Sequence, residues 1–186
     1  MSQSHRFVLG WACVACVVGL GACQGESASS TQASAQAQNA AAKPGTPAQN
    51  LVNAYITLQS KLAKDDAAGT KAAYVSLQNA VKAKDLGLDA ATEQKLSSAV
   101  AKGAAAANIN DARTAFASVT DAMLAYLGAA KNPLSSSLTV AHCPMALDNK
   151  GAKWLQLGET LENPYFGSEM LRCGTVEKTV QPGTSL

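Results

Sequence analysis

Apolar side chains recur every three or four residues through the middle of the chain, which is the spacing of one face of an α-helix. The first stripe consists of Leu51, Tyr55, Leu58 and Leu62. It follows the segment 46–49, where threonine, proline and glutamine occupy the cap, first and third positions of a helix. The pattern predicts that ordered structure begins with a helix at about residue 46.

Three further amphipathic stripes follow, separated by short polar segments that contain capping residues. The predicted helices cover about residues 46–65, 66–85, 89–107 and 110–131. Met123 falls on the apolar stripe of the fourth helix, which favours a packing role over a ligand role. Helices of this kind with short connections predict a mainly α fold, an antiparallel four-helix bundle.

The segment 134–180 has a different pattern, because alanine becomes sparse and proline, glycine, asparagine and aromatic residues take its place. Short strands are predicted near residues 137–141, 154–157 and 175–180, with a turn at 163–167. We expect an irregular, short-β segment packed on the helices. Together they would form one domain over residues 46–180, with a tail at 181–186.

The beginning of the chain has the pattern of a secretory leader, a short polar start followed by the apolar run 7–20. The run is too short to span a bilayer comfortably. It ends in Leu-Gly-Ala-Cys at 20–23, which resembles a bacterial lipobox and implies a lipoprotein signal peptide at 1–22, with lipidation of Cys23. Gln24, in place of aspartate, resembles the sorting pattern of Gram-negative lipoproteins, which implies the outer membrane, on its periplasmic side. An ordinary signal cleaved near Ala22, or a marginal membrane anchor, is the alternative.

The segment 23–45 contains no large apolar side chain after its first residues and is rich in Ser, Ala, Gln and Thr. This composition predicts a disordered tether between the lipid and the folded domain. Loss of Arg6 with the leader reduces the 15 basic residues to 14, against 13 acidic ones. Because no basic stripe is interleaved with aromatic residues, the sequence gives no support to nucleic-acid binding.

Two clusters of soft donor atoms lie in the C-terminal segment. The first contains His142, Cys143 and Met145, and the second contains Met170 and Cys173. Thiolate and thioether donors together favour Cu(I). A closed zinc site usually has four Cys or His ligands, and only His142, Cys143 and Cys173 would remain once the leader is removed and Cys23 is lipidated.

A disulfide between Cys143 and Cys173 is an equally open interpretation, because paired cysteines in an oxidising compartment usually form one. It would close a loop of about 30 residues and stabilise the fold by roughly 3–4 kcal/mol in the chain-entropy model. Met145 and Met170 would then be core fillers and His142 a surface residue. No catalytic constellation stands out, and a nucleophilic Cys143 would have no histidine except its neighbour. We therefore expect no enzyme.

Several motifs resemble the signature of a domain family of unknown function. They are Cys-Pro-Met-Ala at 143–146, Gly-Ala-Lys-Trp-Leu at 151–155, Asn-Pro-Tyr-Phe-Gly at 163–167, Met-Leu-Arg-Cys-Gly at 170–174, and the fourth-helix residues 113–116 and 120–121. The family occurs alone in periplasmic proteins and lipoproteins, and appended to periplasmic adaptors of copper and silver efflux systems. The resemblance spans about residues 51–180.

The resemblance implies a largely helical fold and handling of heavy metals outside the cytoplasm. All four sulfur residues match the pattern, whereas the position of His142 is commonly aromatic, which weakens His142 as a ligand. Trp154, Asn163, Pro164 and Tyr165 also match. For these we expect structural roles, with Trp154 packing the C-terminal segment onto the helices and Asn163-Pro164 setting the turn.

The sequence thus predicts a lipid-anchored periplasmic protein that binds Cu(I), or Ag(I) as a second soft ion, for sequestration or for delivery to an efflux adaptor. Its ligands would be Cys143, Met145, Met170 and Cys173, converging in one pocket, with His142 as a weaker candidate. The alternative is a structural or interaction module with a Cys143–Cys173 disulfide that docks onto an efflux or envelope partner.

Overall fold

The computed structural model describes residues 45–186. The predicted leader, Cys23 and all but the last residue of the predicted tether lie outside the described residues. Within the described range, helices predominate and a small three-stranded antiparallel sheet lies toward the C-terminal end, which confirms the mainly α fold class. No helix in this range combines the length and the apolar character needed to cross a membrane.

Helix α1 (Pro47–Ala63) begins with the capping arrangement that its sequence indicates. The Thr46 side chain accepts a hydrogen bond from the Gln49 backbone N–H, and the Gln49 side chain accepts one from the Thr46 backbone N–H. These bonds satisfy two donors that a helix start otherwise leaves free. The apolar stripe is completely buried, and its members are Leu51, Tyr55, Leu58 and Leu62.

Three more helices follow, each started by an Asp or Asn side chain that accepts from a backbone N–H of the first turn. They are α2 (Ala67–Val81), α3 (Ala90–Ala104) and α4 (Ile109–Ala129). Consecutive helices pack against each other along the chain. Helices α1 and α4 meet through Tyr55 and Phe116, whose rings stack with centroids 5.2 Å apart.

Gly103 lies inside α3, where glycine is intrinsically unfavourable. Close packing against a neighbouring side chain requires a glycine at this position. A Cβ at this position would lie 2.0 Å from Cε1 of the buried Tyr74 ring. The Tyr74 hydroxyl donates to the Ala112 carbonyl at 2.7 Å, which fixes the ring against α4. The glycine therefore allows α2, α3 and α4 to pack around one tyrosine.

The sheet consists of β1 (Leu138–Cys143), β2 (Ala152–Leu157) and β3 (Thr175–Val180), with β1 in the centre and both neighbours antiparallel to it. A tight turn over Ala146–Asn149, with left-handed backbone at Leu147, Asp148 and Asn149, connects β1 to β2. A single 3-10 turn (Gly167–Glu169) precedes β3. The sheet and the helices share one hydrophobic core.

The outer edge of β2 is covered by two tyrosine hydroxyls. The Leu155 N–H donates to the Tyr55 hydroxyl at 3.1 Å, and the Tyr165 hydroxyl donates to the Lys153 carbonyl at 2.6 Å. Burial raises the pKa of Tyr55, and its hydroxyl also shares a hydrogen bond with the Thr120 hydroxyl at 2.8 Å. These bonds satisfy backbone groups that a neighbouring strand would otherwise pair, and they attach the sheet to α1 and α4.

Candidate functional site

The register between β1 and β3 brings the two cysteines of the described chain together. His142 of β1 pairs with Thr175 of β3, after a bulge in which Glu177 is the extra residue of β3. Because the strands are antiparallel, the residue after His142 comes next to the residues that precede Thr175. Cys143 and Cys173, 30 positions apart in the sequence, therefore meet at one end of the sheet.

Gly174 permits this approach, because its backbone adopts a φ of +134° and carries no side chain. A Cβ at this position would lie 2.8 Å from the His142 carbonyl oxygen and 2.9 Å from Cη2 of Trp154. Any other residue would therefore push the chain around Cys173 away from β1. The Cys-Gly pair at 173–174 is thus required by the geometry of the site.

The Sγ atoms of Cys143 and Cys173 are 3.2 Å apart, and both residues are free thiols. A covalent S–S bond measures about 2.0 Å, so the pair is in contact without being bonded. Cys143 is fully buried (0 % exposed), whereas Cys173 is partly exposed. The hydrogen bond with Cys143, together with burial and the charge of Cys143, raises the pKa of the Cys173 thiol.

Asn163 and Trp154 support the cysteine pair from the side of the 163–167 turn. The Asn163 side chain donates to the Cys173 carbonyl at 2.9 Å and accepts from the Tyr165 N–H at 2.8 Å. The Trp154 ring is fully buried and makes an edge contact with the Tyr165 ring, 6.3 Å between centroids. Both residues hold the backbone around the thiols in place.

His142 lies between two buried residues of β1 but is itself only partly buried. Its Nδ1 atom is 3.8 Å from a carboxylate oxygen of Glu177, and its Nε2 atom lies beside Gly151. Glu177 also forms an ion pair with Lys153 at 2.7 Å. Since successive strand residues point to opposite faces, the imidazole faces this charged cluster and not the Cys143 thiol.

The two other predicted sulfur ligands, Met145 and Met170, share one cleft. Both line an open cleft of about 540 Å³, and neither Cys143 nor Cys173 lines it. We name it the methionine cleft, and its other lining residues are Asn110, Arg113, Thr114, Leu147, Asp148, Asn149, Tyr165 and Phe166. The four sulfur residues predicted for one pocket are thus divided between the thiol contact and this cleft.

Arg113 connects this part of the molecule to the helices, a role that sequence reasoning missed. Its guanidinium is largely buried and donates to the Pro164 carbonyl, the Leu62 carbonyl and the Asp65 carboxylate. Asp65 also accepts from the hydroxyl and the backbone N–H of Ser168. These bonds with Ser168, followed by the one from Arg113, lower the pKa of Asp65 to about 2.

Within residues 45–186, no three Cys, His, Asp or Glu side chains come together as a metal-binding group. The groups available at this place are two thiols in contact, with the neutral thioethers of Met145 and Met170 in the cleft. Comparison of the chain with protein-family models, with curated proteins and with solved structures found no match.

Proposed function

We propose that this chain binds a soft monovalent cation, Cu(I) foremost and Ag(I) as a second ion, through the thiolates of Cys143 and Cys173. The observation that carries the proposal is the 3.2 Å contact between these two thiols at the end of β1. Thiolate ligands select soft ions such as Cu(I). Zinc is a poorer candidate, because its closed sites require four protein ligands and only two anionic groups meet here.

Charge and protons shape how such a site would behave. Two thiolates around a monovalent cation leave a net charge of −1, which favours retention of the ion. Both thiols must lose their protons when the ion binds. The raised pKa of Cys173 means that the proton competes with the metal at neutral pH, so binding strengthens as the pH rises.

The biological setting of the proposal comes from the sequence. The chain would be lipid-anchored at Cys23 to the outer membrane, in the periplasm, where it would sequester Cu(I) or deliver it to an efflux adaptor. The resemblance of the C-terminal motifs to domains appended to such adaptors supports the choice of partner. The partial exposure of Cys173 fits ligand exchange at the surface.

We also infer that α1–α4 form an antiparallel four-helix bundle that acts as the scaffold. Packing of each helix on the next and the Tyr55–Phe116 stack between α1 and α4 support this arrangement. The connections between consecutive helices are short, as in bundles of neighbouring antiparallel helices.

The proposal is tested by competition for Cu(I) between the reduced protein and a chromophoric Cu(I) chelator, under anaerobic conditions. We expect one Cu(I) per chain, and a loss of about 100-fold or more in affinity in the Cys143→Ala, Cys173→Ala double variant. Alanine avoids placing a hydroxyl at the buried position of Cys143. Competition by the double variant that equals the wild type would refute the proposal.

Two controls separate loss of ligands from loss of structure. Met123→Leu removes a sulfur from the helical core, where Met123 is fully buried, and we expect unchanged Cu(I) affinity. Cys173→Ala alone removes a partly exposed thiol at small structural cost and is expected to weaken binding nearly as much as the double change. Circular dichroism of the metal-free variants verifies the fold.

The second candidate is a structural or interaction module in which Cys143 and Cys173 form a disulfide. The same contact favours it, since an S–S bond requires the sulfurs to approach by about 1.2 Å. The test is a count of free thiols in protein taken from the periplasm. Fewer than about 0.2 free thiols at these two positions, together with resistance to mild reduction, would favour the disulfide over metal binding. The disulfide would then stabilise the fold by roughly 3–4 kcal/mol through loop closure.

A further inference from the structure

We propose that the methionine cleft is a separate thioether site, which receives the soft cation from solution before Cys143 and Cys173 bind it. The inference rests on the proposed function and adds a second site with a distinct role. It starts from the division of the four sulfur residues into a thiol contact, in which Cys143 is buried and Cys173 partly exposed, and two methionines that line one cleft.

Access favours the thioethers as the first ligands that an ion meets. Met145 is 46 % exposed and lines an open cleft, whereas Cys143 is completely buried. Cys173 is only partly exposed, and its thiol is hydrogen-bonded to that of Cys143. A cation arriving from water therefore reaches the thioether of Met145 more easily than the thiol of Cys143.

Each methionine is tied to a cysteine by short, well-defined backbone. Pro144 is the only residue between Cys143 and Met145, and its ring restricts the local backbone. The Cys173 N–H donates to the Met170 carbonyl at 3.0 Å, which closes a turn between the other pair. Two short stretches of backbone, 143–145 and 170–173, thus connect the thiol pair to the methionine cleft.

The wall of the cleft that carries Met145 is held in an unusual conformation. Leu147, Asp148 and Asn149 follow each other with φ angles of 53°, 58° and 62°, in the left-handed region. The Met145 carbonyl accepts from the Asn149 N–H at 3.2 Å, and the Ala146 carbonyl accepts from the Gly151 N–H at 3.0 Å. These bonds fix the direction in which the chain leaves Met145.

Electrostatics in the cleft do not oppose a cation. Arg113 is the positive lining residue, and its guanidinium is already paired with Asp65. Asp148 contributes a negative charge to the same cleft. Thioethers are neutral and carry no proton to displace, so they bind soft ions without competition from pH and release them to thiolates, which are stronger ligands.

The transfer step involves no change of oxidation state. The bonds between the cation and the two thioether sulfurs break, and bonds to the Cys143 and Cys173 sulfurs form. The two thiols release two protons to water, and the thiol site gains a net charge of −1. The thioethers return to their uncharged, unbound form.

The test uses Ag(I), which has no accessible redox chemistry, and the reduced protein. In the Met145→Leu, Met170→Leu variant, we expect equilibrium affinity within about threefold of the wild type, because leucine conserves the volume of methionine. We expect loading measured by stopped-flow mixing to be about tenfold slower or more. Met123→Leu is the matched control and is expected to load at the wild-type rate.

A second measurement looks for the cleft site directly. The Cys143→Ala, Cys173→Ala variant is expected to keep one weakly bound Ag(I), and this ion is expected to disappear when Met145 and Met170 are also replaced by leucine. Absence of that weak site would overturn the inference, as would an unchanged loading rate in the methionine variant.

The remaining outcomes distinguish this inference from the proposed function. A wild-type protein that binds neither Ag(I) nor Cu(I) would refute the proposed function and, with it, the inference. The other outcome is that the wild type binds Ag(I) and the methionine variant loses about 100-fold or more in equilibrium affinity. The methionines would then be ligands of the thiol site, and only the separate cleft site would be refuted.

Discussion

The helical region (residues 47–129) and the C-terminal segment (residues 134–180) satisfy their backbone in different ways. In the helices, backbone groups bond within each element, and the side chains at the interface are mainly apolar. In the C-terminal segment, long stretches of backbone between the strands have no such repeating partner. Buried polar side chains supply the missing bonds there.

Gln156 and Asn163 illustrate the second way. The Gln156 side chain accepts from the Trp154 ring N–H and the Glu162 N–H, and it donates to two carbonyls of the 158–160 turn. Asn163 bonds to both Tyr165 and Cys173. Residues of this segment therefore position the thiols, whereas the helices provide the surface on which the segment folds.

The largest effect is expected at Trp154, whose ring contacts Tyr165, which in turn packs against Phe116 of α4. Replacement by alanine removes the largest fully buried side chain, and we expect the free energy of unfolding to fall by about 3–5 kcal/mol. Urea denaturation measures this, and a single cooperative transition is expected to persist in the variant. A loss below about 1 kcal/mol would show that the segment is not packed on the helices as described.

The next largest effect is expected at Asn163. Asn163→Ala leaves the Cys173 carbonyl and the Tyr165 N–H without their partner, at a cost of about 2–3 kcal/mol, and loosens the chain around Cys173. The rate of alkylation of the Cys173 thiol is expected to rise. The matched control is Ser76→Ala in α2, where an exposed hydroxyl bonds only to its own helix, with an expected change below about 0.5 kcal/mol. Equal effects at both positions would remove the distinction between the two regions.

The smallest effect concerns pH and the link between Asp65, Arg113 and Ser168. The pKa of Asp65 is lowered from 3.8 to about 2 in the folded chain, so its stabilising contribution is present above pH 3.8 and is lost as the pH falls toward 2. Because the carboxylate is partly exposed, we expect a contribution of only about 1 kcal/mol.

Asp65→Asn checks this expectation, because the variant lacks the titrating group. Unfolding free energies measured at pH 5 and pH 2.5 are expected to converge between wild type and variant at the lower pH. Parallel pH profiles for the two proteins would show that Asp65 does not connect the 3-10 turn to the helices.

The regular part of the fold could be predicted because its signals are local. The capping residues 46–49 and the α1 stripe are recognised from residues that are close in the sequence. The strand β3 lies where alternation and composition predict a strand. The role of Gly103 could not be predicted, since it depends on Tyr74, 29 positions away in another helix. The C-terminal tail is similar, because the Leu186 N–H bonds to the Leu127 carbonyl, a contact without a local signal.

The candidate site could be predicted only in part for the same physical reason. Residue types identified the sulfur donors, but the β1–β3 register and its bulge at Glu177 determine which of them meet. The predicted strand at 137–141 stopped two residues before Cys143, whereas β1 extends to it and turns His142 to the opposite face. Arg113 belongs to the fourth-helix motif, but its role could not be predicted, because its partners are Leu62, Asp65 and Pro164, which are distant in the sequence.

The most direct test of the central claim is X-ray absorption spectroscopy at the copper edge of protein loaded with one Cu(I). We predict a first coordination shell of sulfur only in the wild type, and a spectrum without thiolate sulfur in the Cys143→Ala, Cys173→Ala variant. A shell that contains nitrogen or oxygen ligands, or a spectrum that is the same in wild type and variant, would contradict the claim that these two thiolates hold the ion.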